Sequence, residues 1–300
     1  MLEPQVSHAT RLAAVPDAVP PAEPPGGAAA AALLARRHRL PAPPPVVPPA
    51  GWNAVLETML AHRSVRHFRD RPLAPGTVDL LIAAAQSAST SSNLQVWSVV
   101  AVEEPARKAR LAELAGQQGF IRAAPLQLVW LADLHRLAAV AAAAGATAGG
   151  IDYLEAFIVG VVDAALAAQN ALTAAESLGL GGVYVGAMRN HPEQVAAELA
   201  LPAHVFAVFG MAIGWPDPNA GSDVKPRLPP QVVLHREQYG TPDQAAIAAY
   251  DATLRGFQRE QKMGEIDWTR QCLARMKDTA ALRGRERMRE ALANLGFPLR

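Results

Sequence analysis

Two guanidiniums, an imidazole and a hydroxyl fall within five consecutive residues, His62, Arg63, Ser64, Val65 and Arg66, at the foot of an amphipathic helix. An arginine fork and a hydroxyl are the donors that a phosphate monoester requires, and each charge-assisted bond of this kind contributes roughly 1.5 to 3 kcal/mol. Far downstream, Lys225, Pro226 and Arg227 offer a second pair of cations on a loop rich in proline, glycine and aspartate. Two such groups in one chain suggest a single anion held from both sides. Either alone reads more simply as a solvated charged patch.

The polar run from Ser87 to Gln95 has two readings: a turn in which Ser, Thr and Asn satisfy their own backbone, or a loop whose hydroxyls and amides bind a polyol and a heterocycle edge. Gln118, in a Gly-Gln-Gln-Gly turn, is equally open. Asp163 and Glu176 sit on an apolar segment, where carboxylates more often pair with a partner or cap a neighbouring backbone than act as catalytic acids. His62 and His67 lack a third ligand at metal-binding spacing. Gly179, Gly181 and Gly182 follow a helix and precede a strand, the reverse of a dinucleotide fingerprint, so Gly179 reads as a helix C-cap. Arg283, Arg285, Arg287 and Arg289 alternate with Glu286 and Glu290 and read as a solvated, internally paired face.

These residues must be positioned by an alternating set of elements. Val55, Met59 and Leu60 recur at helical spacing, and Thr77 opens a second helix through Val78, Leu81, Ile82 and Ala85. Strands are expected over 96–102, 126–131, 183–185 and 204–213, with a helix over 106–115. Residues 156–178 are apolar nearly all round. Asp163, Gln169, Asn170 and Glu176 would be costly in lipid, so a central or interface helix is expected there rather than a membrane span. After Thr241 the chain reads as helical.

The first fifty residues hold about half of the 25 prolines and predict little regular structure: an extension, residues 1–50, that is disordered or lies along a partner in polyproline II form, before a folded domain over 51–300. With 28 basic and 27 acidic residues, the 300-residue chain has no global attraction for nucleic acid or an anionic membrane surface, so any basic site is local. One cysteine, Cys272, excludes an intrachain disulfide and fits a reducing cytoplasm.

Taken in order, HRSVRHF at 62–68, TSSNLQ at 90–95, the run from Val161 to Gly186, FGMAIGWP at 209–216 and KPRLP at 225–229 resemble the nitroreductase family of flavin enzymes. The resemblance is closest to its oxygen-insensitive NADPH nitroreductase and NADPH-flavin oxidoreductase branch. It implies an α+β fold, a central, mostly antiparallel sheet flanked by helices, in an intertwined homodimer. By that resemblance FMN is the bound cofactor and NADPH or NADH the hydride donor. His62, Arg63, Ser64, Lys225 and Arg227 would hold the FMN phosphate and ribityl chain, with Arg66 beside the pyrimidine edge. Ser89, Thr90, Ser91 and Asn93 would come from the other subunit, Gln118 would contact polar groups of the ring or ribityl chain, and Tyr184, Val185, Gly186 and Ala187 would run along the ring. The implied activity is reduction of small planar acceptors (nitroaromatics, quinones or free flavins) in ping-pong order without a catalytic side chain. A non-catalytic flavin-sequestering protein is the alternative. Where relatives carry an arginine associated with the NADPH 2′-phosphate, counting lands on Gln261, with Arg259 or Lys262 as possible substitutes, so the donor preference stays open. The stretch 137–150 looks long and suggests a cover over the flavin.

Overall fold

The computed structural model describes residues 27–39 and 52–300. Its helices are α1 (Gly27–His38), α2 (Ala54–Ala61), α3 (Thr77–Gln86), α4 (Pro105–Leu114), α5 (Gly119–Ala123), α6 (His135–Ala143), α7 (Leu154–Ser177), α8 (Pro192–Glu198), α9 (Pro230–Val233), α10 (Gln244–Glu260), α11 (Trp268–Met276), α12 (Thr279–Leu282) and α13 (Met288–Asn294). The strands β1 (Trp97–Val102), β2 (Leu126–Asp133), β3 (Gly181–Val185) and β4 (Val205–Gly214) form one antiparallel sheet in the order β1-β2-β4-β3. This is the expected α+β arrangement, and each anticipated strand is present to within two residues at either end.

Strand alternation divides the core. Leu126, Leu128 and Trp130 of β2 face α3 and α7, where Leu81, Ala85, Ala167, Ala168, Ala171 and Leu172 close over them. Val129 and Leu131 point the other way, toward Leu111 and Ala112 of α4 and Val195 of α8. The alanines of α7 let its backbone approach the sheet closely, which accounts for an apolar helix of 24 residues inside the core. Its opposite face leaves Leu154, Ile158, Val162 and Leu166 exposed at four-residue intervals.

At the end of α7, Gly179 takes φ +79°, Gly179 N–H bonds Glu176 O at 3.0 Å, and Leu180 N–H bonds Ala175 O at 3.0 Å. This left-handed C-cap turns the chain into β3. There Val65 N–H bonds Gly182 O at 3.0 Å, so the 62–66 segment lies along the edge of the sheet. The approach depends on Gly181, since a Cβ there would sit 2.5 Å from Val65 Cγ2 and 3.0 Å from Pro216 Cγ. Gly181→Ala is therefore expected to lower stability by about 1–3 kcal/mol through overpacking. The drop is measured as a lower denaturant midpoint at unchanged m-value; an unchanged midpoint would refute the close-contact argument.

One expectation for the extension is corrected. Residues 27–38 are helical, because this stretch, Gly-Ala-Ala-Ala-Ala-Ala-Leu-Leu-Ala-Arg-Arg-His, contains no proline and consists of strong helix formers between its terminal Gly and His. The proline-dense parts, residues 1–26 and 40–50, lie outside the described residues.

Candidate functional site

Helix α2 opens on Asn53, whose side chain accepts from Val55 N–H and Leu56 N–H, and it delivers the chain at His62. From there Val65 turns inward, 4% exposed, while Arg63, Ser64 and Arg66 turn out. The 222–227 segment comes to the same place. Residues His62, Arg63, Ser64, Arg66, Lys225 and Arg227 line one cleft of about 370 Å³, with Asp223, Phe257 and Gln261 also in its walls.

The electrostatics of the cleft are one-sided. Arg63 Nε donates to Ser222 Oγ at 3.2 Å, and Arg227 Nη1 donates to Lys225 O at 3.0 Å. Among the described residues, none of Arg63, Arg66, Lys225 and Arg227 pairs with a carboxylate. Partial loss of water, reinforced by Arg66 and Arg227, pushes the Lys225 ammonium below the usual lysine value. The wall carboxylate, Asp223, is turned away to Arg36 and Arg39. Although burial opposes it, the Val224 N–H and these two arginines hold Asp223 below the usual aspartate value. His62 Nδ1 lies 2.6 Å from Glu176 Oε1, which fixes the imidazole against α7. Uncompensated cations beside a serine hydroxyl form a donor set for a dianionic or monoanionic oxyanion.

Beyond Gly182 the outer edge of β3 pairs with no other strand among the described residues. Gly182 O points to that edge, since it accepts from Val65, and strand alternation turns the Tyr184 N–H the same way. Val185 is buried at 3% exposure, whereas Gly186 and Ala187 begin a 3-10 turn. Burial, together with Glu176, raises the Tyr184 phenol well above the usual tyrosine value, so it stays a donor, to Gln169 Oε1 at 3.3 Å.

Other anticipated residues stand apart from the cleft in the single chain. Thr90 Oγ1 donates to Asp163 Oδ2 at 2.5 Å, and the N–H groups of Ser91 and Val96 reach the same carboxylate, each at 3.2 Å. Asp163 thus caps a neighbouring backbone, one of the two roles expected of it. Ser89, Ser91 and Asn93 are exposed. Gln118 is the N-cap of α5 and its N–H bonds Ala112 O at 3.1 Å. The 137–150 stretch forms most of α6 and borders a separate apolar cleft with Ser91, Ser92 and Leu94. Gln261 does line the basic cleft, whereas Arg259 is held by Glu265 through bonds of 3.0 and 2.8 Å.

Two groups of residues near the site escaped the sequence reading. Arg189 donates to Val208 O and its Nη2 lies 3.3 Å from where a Cβ on Gly186 would stand, while Arg285, expected on a solvated face, is half-buried and its Nε donates to the adjacent Asn190 Oδ1 at 2.9 Å. Its position two residues after the Tyr-Val-Gly-Ala run was the available signal for Arg189. The second group is Arg36, Arg37 and Arg39, a basic run behind an alanine-rich stretch.

Comparison with known proteins gives a consistent result. Residues 59–215 match the nitroreductase family, and residues 225–300 match the nitroreductase family, C-terminal domain. The chain is 42% identical over 199 residues to an oxygen-insensitive NADPH nitroreductase of Salmonella typhimurium, covering 66% of this chain and 80% of that protein. It is 40% identical over 231 residues to an FMN reductase (NADPH) of Bacillus subtilis, covering 75% of this chain and 92% of the relative. The crystal structure of NADPH:FMN oxidoreductase from Vibrio harveyi complexed with NAD+ superposes with a TM-score of 0.74 at 35% identity, covering 83% of this chain and 100% of the other.

Proposed function

Since the chain belongs to the nitroreductase family, we propose that it is an FMN-dependent NAD(P)H oxidoreductase that reduces nitroaromatics, quinones or free flavins. The observation that carries this reading is the meeting of the 62–66 and 225–227 cations in one cleft, beside an open strand edge. The residues fit the cofactor: a phosphate monoester matches uncompensated cations, and a planar heterocycle matches the outer edge of β3. Bound FMN supplies hydride chemistry, and the protein supplies position and field.

Arg63, Ser64, Lys225 and Arg227 hold the phosphate, and Arg66 places positive charge toward the ring. Tyr184, Val185, Gly186 and Ala187, at the end of β3 and in the turn after it, run along the ring. The exposed stripe Leu154, Ile158, Val162 and Leu166 is the face buried by a second copy, which brings its Ser89, Thr90, Ser91 and Asn93 to the cofactor. With Gln261 uncharged and Arg259 engaged by Glu265, the donor preference rests on a steady-state comparison of NADPH and NADH.

The purified protein is expected to be yellow, and NADPH or NADH added without oxygen to bleach it within mixing time. Menadione or a nitroaromatic then restores the colour. FMN that remains oxidised with both donors would overturn the enzyme reading and leave a flavin-sequestering protein.

A further inference from the structure

Helix α1 precedes residue 59, where the family match begins, and 83% of this chain already spans the full length of the Vibrio harveyi structure. It nevertheless bonds to both cation-bearing segments. Arg37, 8% exposed, donates through Nη2 to Leu60 O and His62 O, each at 2.8 Å, and through Nη1 to Lys225 O at 3.1 Å. Its own carbonyl accepts from Arg227 N–H at 3.0 Å. One residue thus spans separations of 25 and 188 positions. On either side of it, Arg36 and Arg39 hold Asp223, and Arg39 also pairs with Glu260 and lies over the Phe257 ring at 5.0 Å.

These contacts do two things. The Arg37 fork fills the orphan carbonyls at the end of α2, which a helix terminus otherwise leaves to water, and so fixes where His62 begins. The Asp223 pairs remove the carboxylate that would otherwise neutralise the cleft cations. Two loops that converge on an anion gain affinity when they are fixed before it arrives, because the ordering cost is already met.

We propose that α1 is an intramolecular strap for the phosphate cradle, with Arg37 as a positioning residue that sets the two cation-bearing loops at the spacing a phosphate monoester requires. Arg37 itself touches backbone carbonyls and not the ligand. The inference rests on the proposed FMN site, and the experiment separates the two.

Full-length wild type, Arg37→Gln and Ala30→Asp are stripped of flavin and titrated with FMN and with riboflavin, which has the ring and ribityl chain but no phosphate. Ala30 is fully buried, so a carboxylate there undocks α1 while leaving Arg37 and every cleft side chain in place in the sequence. Both variants are expected to raise the FMN dissociation constant about tenfold or more while moving that for riboflavin less than about twofold. Unchanged FMN affinity in both variants would overturn the strap. So would an equal loss for FMN and riboflavin, which marks a general effect on folding. Wild type that binds neither flavin would overturn the cofactor site, and this inference with it.

Discussion

Replacing Lys225 by alanine raises the FMN dissociation constant roughly 10- to 100-fold, because one charge-assisted bond worth about 1.5–3 kcal/mol is lost and each 1.4 kcal/mol is a factor of ten. Lys225 is chosen because its ammonium bonds nothing among the described residues, whereas Arg227 already gives a donor to Lys225 O and, at 3.5 Å, to Pro226 O. The effect carries a pH signature. Loss of water and the neighbouring arginines disfavour the ammonium in the empty cleft, so its folded-state pKa lies below that of a free lysine. That group makes the flavin-free protein more stable as pH rises through the lowered value toward the ordinary one. A bound phosphate favours the ammonium and reverses the preference. FMN affinity therefore holds below the lowered value, declines above it, and loses this alkaline limb in Lys225→Ala. Titration by flavin fluorescence quenching across neutral to alkaline pH measures both. Equal affinity of variant and wild type at neutral pH would remove Lys225 from the phosphate site.

The second large effect is on stability. Asp163, 1% exposed, accepts from Thr90 Oγ1 and from the N–H groups of Ser91 and Val96. Within the span they tie down, Ser92, Asn93 and Gln95 have φ of 49°, 54° and 51°, a left-handed region that L residues occupy at a cost. Asp163→Ala strands three donors, and the release of that strain offsets only part of the cost, for an expected loss of about 3–5 kcal/mol. At this chain length the melting temperature falls by roughly 5–8 °C. Asp163→Asn retains an acceptor and loses less. Differential scanning calorimetry of all three proteins checks the ordering, and a loss below about 1 kcal/mol for the alanine variant would show that the carboxylate is not the clamp.

Both cation groups were legible from residue type alone, and two of them in one chain suggested a shared anion; the contacts that bring them together were not legible. Nothing local in Lys225 or Arg227 points to His62; the connection is made by α7, the Gly179 cap and the Gly182–Val65 bond, which together carry the chain past its own beginning. The 87–95 loop stayed ambiguous for a related reason, since the group that decides it, Asp163, is 73 positions from Thr90. Helix α1 was missed because proline density averaged over fifty residues concealed a proline-free window of 12 residues. Strands were easier, since alternation and β-branched runs are local signals. Gln261 shows the limit of counting. Its place in the wall of the basic cleft and the engagement of Arg259 by Glu265 could be seen only in three dimensions.

The cleft draws on residues 37, 62–66 and 223–227, and on Phe257 in α10. A pocket assembled from such remote stretches closes late, after the long-range entropy of the intervening chain has been overcome. A nascent polypeptide still short of α10 on the ribosome has no complete receptacle for a nucleotide, so colour should appear only after release, and truncation products should emerge from the cell bleached.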